Sequence, residues 1–313
     1  MKKFDIVALG EPLYELNQQP DGMFLPGFGG DTSNVAIAAA RLGAKCAYVT
    51  KLGQDPFGDA IAALWNTESV DAHAVTRHPT AQTGIYLVTH SSTGHSFSYF
   101  RKGSAASLMM PADVPESLIS EASWLHVSGI SQAISASAAE AVAHAISIAK
   151  RHDTRVSYDT NLRLRLWTKE AAKPVIEATA AQADILKTSL DDAEVMLGFK
   201  DVNRVADHFL NLGSRAVIVT LGANGVAAVT PEKREQFKKH AVNAVDATGA
   251  GDAFTGALLA EIARDEDFFA AARFANAAAA LSTTGYGAVK PLPRRAEIEA
   301  LLNRAARVDP DRA

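Results

Sequence analysis

The run Asp246-Ala247-Thr248-Gly249-Ala250-Gly251-Asp252 sets a turn of small residues between carboxylates and leads straight into the apolar segment Ala253–Ile262. A small-residue turn that opens a helix leaves backbone N–H groups without intrahelical acceptors. With the helix dipole, those groups form a seat for phosphate oxygens. Glycines at 249 and 251 allow a ligand to approach the backbone closely. Asp252, at the end of the turn, would sit beside a bound anion and could take the proton of an attacking hydroxyl. The competing reading makes Asp252 an ordinary helix N-cap.

Other templates fail. No G-x-x-x-x-G-K-[ST] or G-x-S-x-G occurs, Gly27-Phe28-Gly29-Gly30 does not complete G-x-G-x-x-G, and the nine histidines show no H-E-x-x-H spacing. One cysteine, Cys46, excludes an intramolecular disulfide and a multi-thiolate zinc site, and its strand-like surroundings predict a buried, inert thiol. A net charge of −4 without a basic block argues against a nucleic-acid partner. Phe4–Leu9 is too short for the core of a signal peptide, and no segment approaches the roughly 20 apolar residues that span a bilayer. The expectation is a soluble cytoplasmic protein with no membrane partner.

The elements that must position the turn are legible in the hydrophobic pattern. With 313 residues, 48% of them apolar and 21% charged, the chain can build a large core. Phe4–Leu9, Ala47–Leu52, Trp124–Val127, Val156–Tyr158, Ile185–Leu186 and Ala216–Thr220 read as buried strands. Ser33–Leu42, Phe57–Asn66, Ser137–Lys150, Lys169–Ala180, Asp191–Leu197 and Val202–Leu212 read as the helices between them. Gly251–Arg264, Phe268–Thr283 and Arg294–Arg307 complete a helical C-terminal third. This alternation predicts an α/β fold, a mostly parallel sheet with helices on both faces. Tyr14–Phe28 and Thr83–Arg101 break the pattern. In the second, Ser91-Ser92-Thr93-Gly94 separates two strand-like runs as a hairpin turn would. They predict a small β layer, at approximately 12–30 and 83–107, projecting from one domain that spans 1–313. Val308–Ala313 reads as a loose tail.

The turn at 246–252, continued by Ala253-Phe254 and Gly256, resembles the C-terminal signature of the PfkB (ribokinase-like) sugar kinases. Gly29-Gly30-Asp31-Thr32-Ser33-Asn34-Val35-Ala36, then Ala40-Arg41-Leu42-Gly43, resembles the N-terminal signature, and Gly53-Gln54-Asp55-Pro56-Phe57-Gly58 the G-x-D-x-x-G that follows it. The resemblance runs to about Pro293. It implies a ribokinase-like fold with the β layer as a lid, and transfer of the γ-phosphoryl of ATP to a sugar hydroxyl with Mg²⁺ as cofactor. Asp252 would be the base, and Gly249, Ala250 and Gly251 the anion hole.

The same resemblance distributes the remaining roles. Gly30, Asp31, Thr32 and Asn34 would bind sugar hydroxyls, with Tyr86 and Tyr99 covering the sugar. Asn161, Ser189, Gly222, Gly225 and Asn276 would lie along the nucleotide; Asn276 reads equally as a helix-surface amide. Many family members carry N-x-x-E where this chain has Ser189 and Asp192, which leaves Asp192 to organise Mg²⁺ through water and Ser189 open to a capping role. A monovalent cation such as K⁺ near Asp246 and Thr248, and a homodimer through the lid, also follow from family likeness. Tyr99-Phe100-Arg101-Lys102-Gly103 and Asp159-Thr160-Asn161-Leu162-Arg163-Leu164-Arg165-Leu166-Trp167 lean toward 2-keto-3-deoxygluconate kinases, with Arg101 and Arg163 facing the sugar carboxylate. Fructokinases share much of this pattern and are the alternative. A silent sugar-binding protein is the alternative of another class, against which the intact Asp252 and 249–251 turn argue.

Overall fold

Strands buried on both faces need near-continuous apolar runs, and those runs build the main sheet. The computed structural model describes residues 2–91 and 94–308, so Ser92 and Thr93 of the expected hairpin turn and residues 309–313 of the expected tail lie outside it. In the nine-stranded sheet, Phe4–Leu9 lies between Cys46–Val49 and Ala122–Ser128. Beyond Cys46–Val49 comes the short edge strand Val70–Asp71. On the other side follow Arg155–Asp159, Ile185–Ser189 and Ala216–Thr220, all parallel. Val226–Val229 and Arg234–Phe237 then close that edge as antiparallel strands.

Side chains alternate across the sheet with period two. Ile6, Ala8 and Ile218 pack against the helices Asp31–Arg41, Ala250–Ile262 and Phe268–Ser282. Val7, Leu9, Val217 and Val219 face the other layer, with Ala136–Arg151, Lys169–Ala180 and Val202–Leu212. Cys46 is buried, and burial pushes its thiol pKa up, away from reactivity.

The small sheet has the order Phe24–Gly29, Leu13–Gln18, Ile85–Ser91, Gly94–Phe100. The expected strand Ala47–Leu52 is two strands in different sheets. Cys46–Val49 stays in the main sheet, while Lys51–Gly53 pairs with Thr76–His78. Apolar periodicity continues across the break at Thr50 and does not report it.

The helices Asp31–Arg41 and Ala250–Ile262 cross at Gly256. A Cβ there would stand 2.6 Å from Ala38 Cβ and 2.7 Å from Val35 O. Gly256→Val should therefore destabilise the chain by about 1–3 kcal/mol through overpacking. A urea denaturation midpoint equal to that of the parent chain would show that the crossing has room.

Candidate active site

In open parallel sheets ligands bind outside the carboxyl ends of the strands, and the chemistry-bearing residues collect there. Gly249 is the N-cap of Ala250–Ile262 with φ of 75°, and a Cβ there would also crowd Ala288. The turn is braced at its start. Thr248 donates to Asp246 Oδ1 from its N–H (2.9 Å) and its hydroxyl (2.7 Å), and Gly287 N–H donates to Asp246 Oδ2 (2.9 Å). Ala250 N–H donates to Ala247 O and Ala253 N–H to Gly249 O. Among the described residues, the N–H groups of Gly251 and Asp252 between them have no acceptor. Two donors at a helix N-terminus thus point at one place.

Asp252 is the third residue of the helix, so it is not the N-cap. Its Oδ2 accepts 2.8 Å from Asn34 Nδ2 across the crossing. Burial, with the negative charges of Asp31 and Asp159 nearby, pushes its pKa up to about 7, against the pull of Asn34 and Lys187. A carboxylate at that value is suited to accept a proton near neutrality.

Asp31 opens the helix that carries Asn34, after Gly30 at φ of 99°, where a side chain would collide with Glu11 O. Asp31 Oδ2 accepts 2.8 Å from Asn161 Nδ2, and Asn161 itself sits at φ of 33° just beyond Arg155–Asp159. Thr32 Oγ1 and the Tyr48 hydroxyl lie 2.7 Å apart. Gly30, Asp31, Thr32, Asn34, Asn161 and Asp252 therefore gather through contacts between segments far apart in sequence.

Three buried charged residues belong with this group although the motifs gave them no role. Lys187 Nζ lies 2.6 Å from Asp159 Oδ2, with side chains 8% and 7% exposed. The same ammonium is 3.1 Å from where a Cβ on Gly251 would be. The third, Glu11, is fully buried under Arg101. A charged residue inside an apolar strand, as in Ile185-Leu186-Lys187, was the available signal, since burial demands a partner. His126, beside them, is held down to about 4 by burial and is neutral; its Nδ1 lies 3.1 Å from Ser157 Oγ.

The small sheet supplies the next group. The Tyr86 hydroxyl donates to Glu15 Oε2, and the Tyr86 and Tyr99 rings stack with centroids 5.6 Å apart. Arg101 donates from Nε to Glu11 Oε2 at 2.6 Å, and Ser104 Oγ donates to Glu11 Oε1 at 2.6 Å. Burial pushes the Glu11 pKa up, and the Arg101 charge opposes that. Arg101 is thus committed to Glu11. Arg163 and Arg165 are exposed. Arg163 donates to Leu162 O at 2.8 Å with its charge near Asp192, and Arg165 donates to Phe97 O of the small sheet at 3.3 Å.

Along the other edge, Ser189 caps Leu190–Leu197, its Oγ accepting 3.0 Å from Asp192 N–H. Burial raises the Asp192 pKa, and Arg163 counters it. Thr220 pairs with Ser189 in the sheet, which brings the Gly222–Asn224 turn alongside. Gly225, at φ of 101°, abuts Phe237 O and Lys238, and Asn276 Nδ2 donates 2.9 Å to Lys238 O. Asn276 is therefore a buried brace of the segment following Arg234–Phe237, not a helix-surface amide.

Among the described residues, no cluster of three or more His, Cys, Asp or Glu could hold a metal, and no helix is long and apolar enough to cross a membrane. A 2-dehydro-3-deoxygluconokinase of Thermoproteus tenax is 37% identical over 309 residues, covering 95% of this chain and 94% of its own. A probable fructokinase of Arabidopsis thaliana is 34% identical over 314 residues, covering 95% and 96%. The structure of fructokinase from Vibrio cholerae O395 in its fructose, ADP and calcium ion bound form superposes with a TM-score of 0.86 at 29% identity, covering 96% of this chain and 99% of the other. The pfkB family carbohydrate kinase model matches residues 5–295. With a ribokinase-like α/β fold and that match across most of its length, the chain belongs to the pfkB family of carbohydrate kinases and transfers phosphate to a sugar.

Proposed function

We propose that this kinase phosphorylates the terminal hydroxyl of 2-keto-3-deoxygluconate with ATP, giving 2-keto-3-deoxy-6-phosphogluconate. The observation that carries the acid-sugar reading is the pair of exposed guanidinium groups, Arg163 and Arg165, just after the buried Asn161. Planar paired donors match a carboxylate.

In this reading the sugar lies between Gly30, Asp31, Thr32 and Asn34 on one side and Tyr86 and Tyr99 on the other. The small sheet closes over it and keeps out water, a competing acceptor. Asp252 takes the proton of the attacking hydroxyl, and the 249–251 turn receives the equatorial oxygens of the transferred group. ATP runs past Asn161 and Ser189 toward Gly222, Gly225 and Asn276. The donor set fits a Mg²⁺ that arrives on the phosphates: one half-shielded carboxylate, Asp192, can reach its waters, as this ion prefers. Bound there, the ion would neutralise phosphate charge.

A second reading, a ketohexose kinase, is favoured by a different observation: Glu11 already neutralises Arg101. Coupled release of ADP with Mg·ATP and 2-keto-3-deoxygluconate, fructose, ribose or adenosine separates the readings. The expected result is a kcat/KM for the acid sugar at least about tenfold above that for fructose, or 1.4 kcal/mol in the transition state. Preference for fructose would replace the acid-sugar reading with the second.

A further inference from the structure

We propose that Tyr48, together with Trp65, is a positioning residue for the reacting centre: from inside the core it fixes the first turn of Asp31–Arg41 and so sets where Asn34 meets Asp252. This role rests on Asp252 as the base and is the same for whichever sugar is phosphorylated.

The first turn of that helix divides by direction. At about 100° per residue, Asp31 and Asn34 share one face, and Thr32 and Ser33 point to the opposite one. The outer face serves the site: Asp31 accepts from Asn161, and Asn34 donates to Asp252. The inner face is held from below. The Tyr48 hydroxyl and Thr32 Oγ1 lie 2.7 Å apart, and Trp65 Nε1 donates to Ser33 Oγ at 2.9 Å. Both aromatic residues are fully buried, and their rings pack with centroids 4.7 Å apart. Tyr48 belongs to Cys46–Val49 and Trp65 to the helix Pro56–Thr67, so two elements outside the site grip consecutive hydroxyls of one turn.

Filling the core does not require these groups. A phenylalanine at 48 and a valine at 32 would occupy nearly the same space, and replacing both members of a bonded pair by apolar groups of like shape is close to neutral in stability. What the polar pairs add is direction. An apolar contact lets a helix slide or turn slightly, whereas a hydrogen bond has a preferred length and angle. The turn needs that restraint, because its N-cap is Gly30, which has no side chain to cap it. Gly10 makes room for the pair: a Cβ there would stand 2.3 Å from Thr32 Oγ1, although Gly10 has no positive φ. Thr32, wholly buried and bonded to Tyr48, thus serves the site as a link.

The signature of this link is the titration of Asp252. The hydrogen bond from Asn34 and the charge of Lys187 favour the ionised carboxylate, against burial and the charges of Asp31 and Asp159. Tyr48 itself stays neutral, because burial holds its pKa well above the phenol range. Tyr48→Phe keeps the ring and frees the turn, so Asn34 leaves its place and the Asp252 pKa rises. The variant is compared with the parent chain by kcat, the pH profile of kcat/KM and the urea midpoint, using the sugar that the parent turns over fastest. The expected result is a kcat lower by about 10–10²-fold, the upper value being the cost of a displacement of about 1 Å at a reacting centre. The acid limb of kcat/KM should lie at higher pH than in the parent. Tyr48→Phe with Thr32→Val leaves no hydroxyl unpaired and keeps the test readable where the single variant unfolds early. Its urea midpoint should return toward that of the parent while the limb stays displaced, a displacement that loss of a sugar contact by Thr32 would not produce. A lower midpoint with parental kcat and acid limb would reduce Tyr48 to a satisfied core hydroxyl and overturn the proposal. A parent profile without an acid limb would count against Asp252 as base instead, and the kcat of Tyr48→Phe would then decide alone.

Discussion

Asp252→Asn is expected to lower kcat by about 10²–10⁴-fold, the range associated with loss of a positioned general base. The substitution is nearly isosteric, and an asparagine Oδ1 can still accept from Asn34 Nδ2, which lies 2.8 Å from the carboxylate in the parent chain. Affinities for nucleotide and sugar should therefore be retained, which equilibrium binding would check. The pH profile gives a second signature. Burial and the neighbouring Asp31 push the Asp252 pKa up to about 7, and only its ionised form can accept the proton. In the parent chain kcat/KM should level off above that pH and fall about tenfold per unit below it. The residual activity of the variant should lack this limb. Near-normal turnover in Asp252→Asn would remove Asp252 as base.

The second large effect is on stability. Arg101→Ala should cost about 3–5 kcal/mol, because it leaves Glu11 buried without its counter-charge. Only the Ser104 hydroxyl would remain bonded to that carboxylate. Replacing both partners by apolar residues of similar volume, Glu11→Leu with Arg101→Met, should recover most of the loss. Urea midpoints of the three chains decide the matter, and equal midpoints for parent and Arg101→Ala would show the pair to be energetically idle. A rise in KM for an acid sugar in Arg101→Ala alone would mix this loss with any carboxylate contact. Arg163, exposed and outside the core, gives the cleaner comparison.

Much of the architecture was legible because its signals are local. Phe4–Leu9 and Ala216–Thr220 are apolar runs of strand length, and Val202–Leu212 carries its apolar residues at helical spacing. The 246–252 turn and the helix it opens were legible for the same reason, since they are contiguous. What escaped depends on encounters across the chain. Lys187 finds Asp159 only when neighbouring parallel strands align, and Arg101 finds Glu11 across 90 positions. The edge strand Arg234–Phe237 was missed because it alternates exposed and half-buried residues, without a continuous apolar run. The departure from helix-strand alternation at Tyr14–Phe28 was visible, and its cause is the hairpin of the small sheet.

The crossing at Gly256 also bears on how such a chain can change. Asn34 and Asp252 ride on two helices that meet at backbone distance, a joint with no slack. Tyr86 and Tyr99 belong to a sheet with its own small core of Leu13, Tyr86 and Val88. The parts that would make and break bonds and the rings that would cover the sugar are thus anchored in separate structural units. Mutations can accumulate in one while the other stays in register, so a lineage built on this plan can exchange one sugar for another without rebuilding its reacting centre.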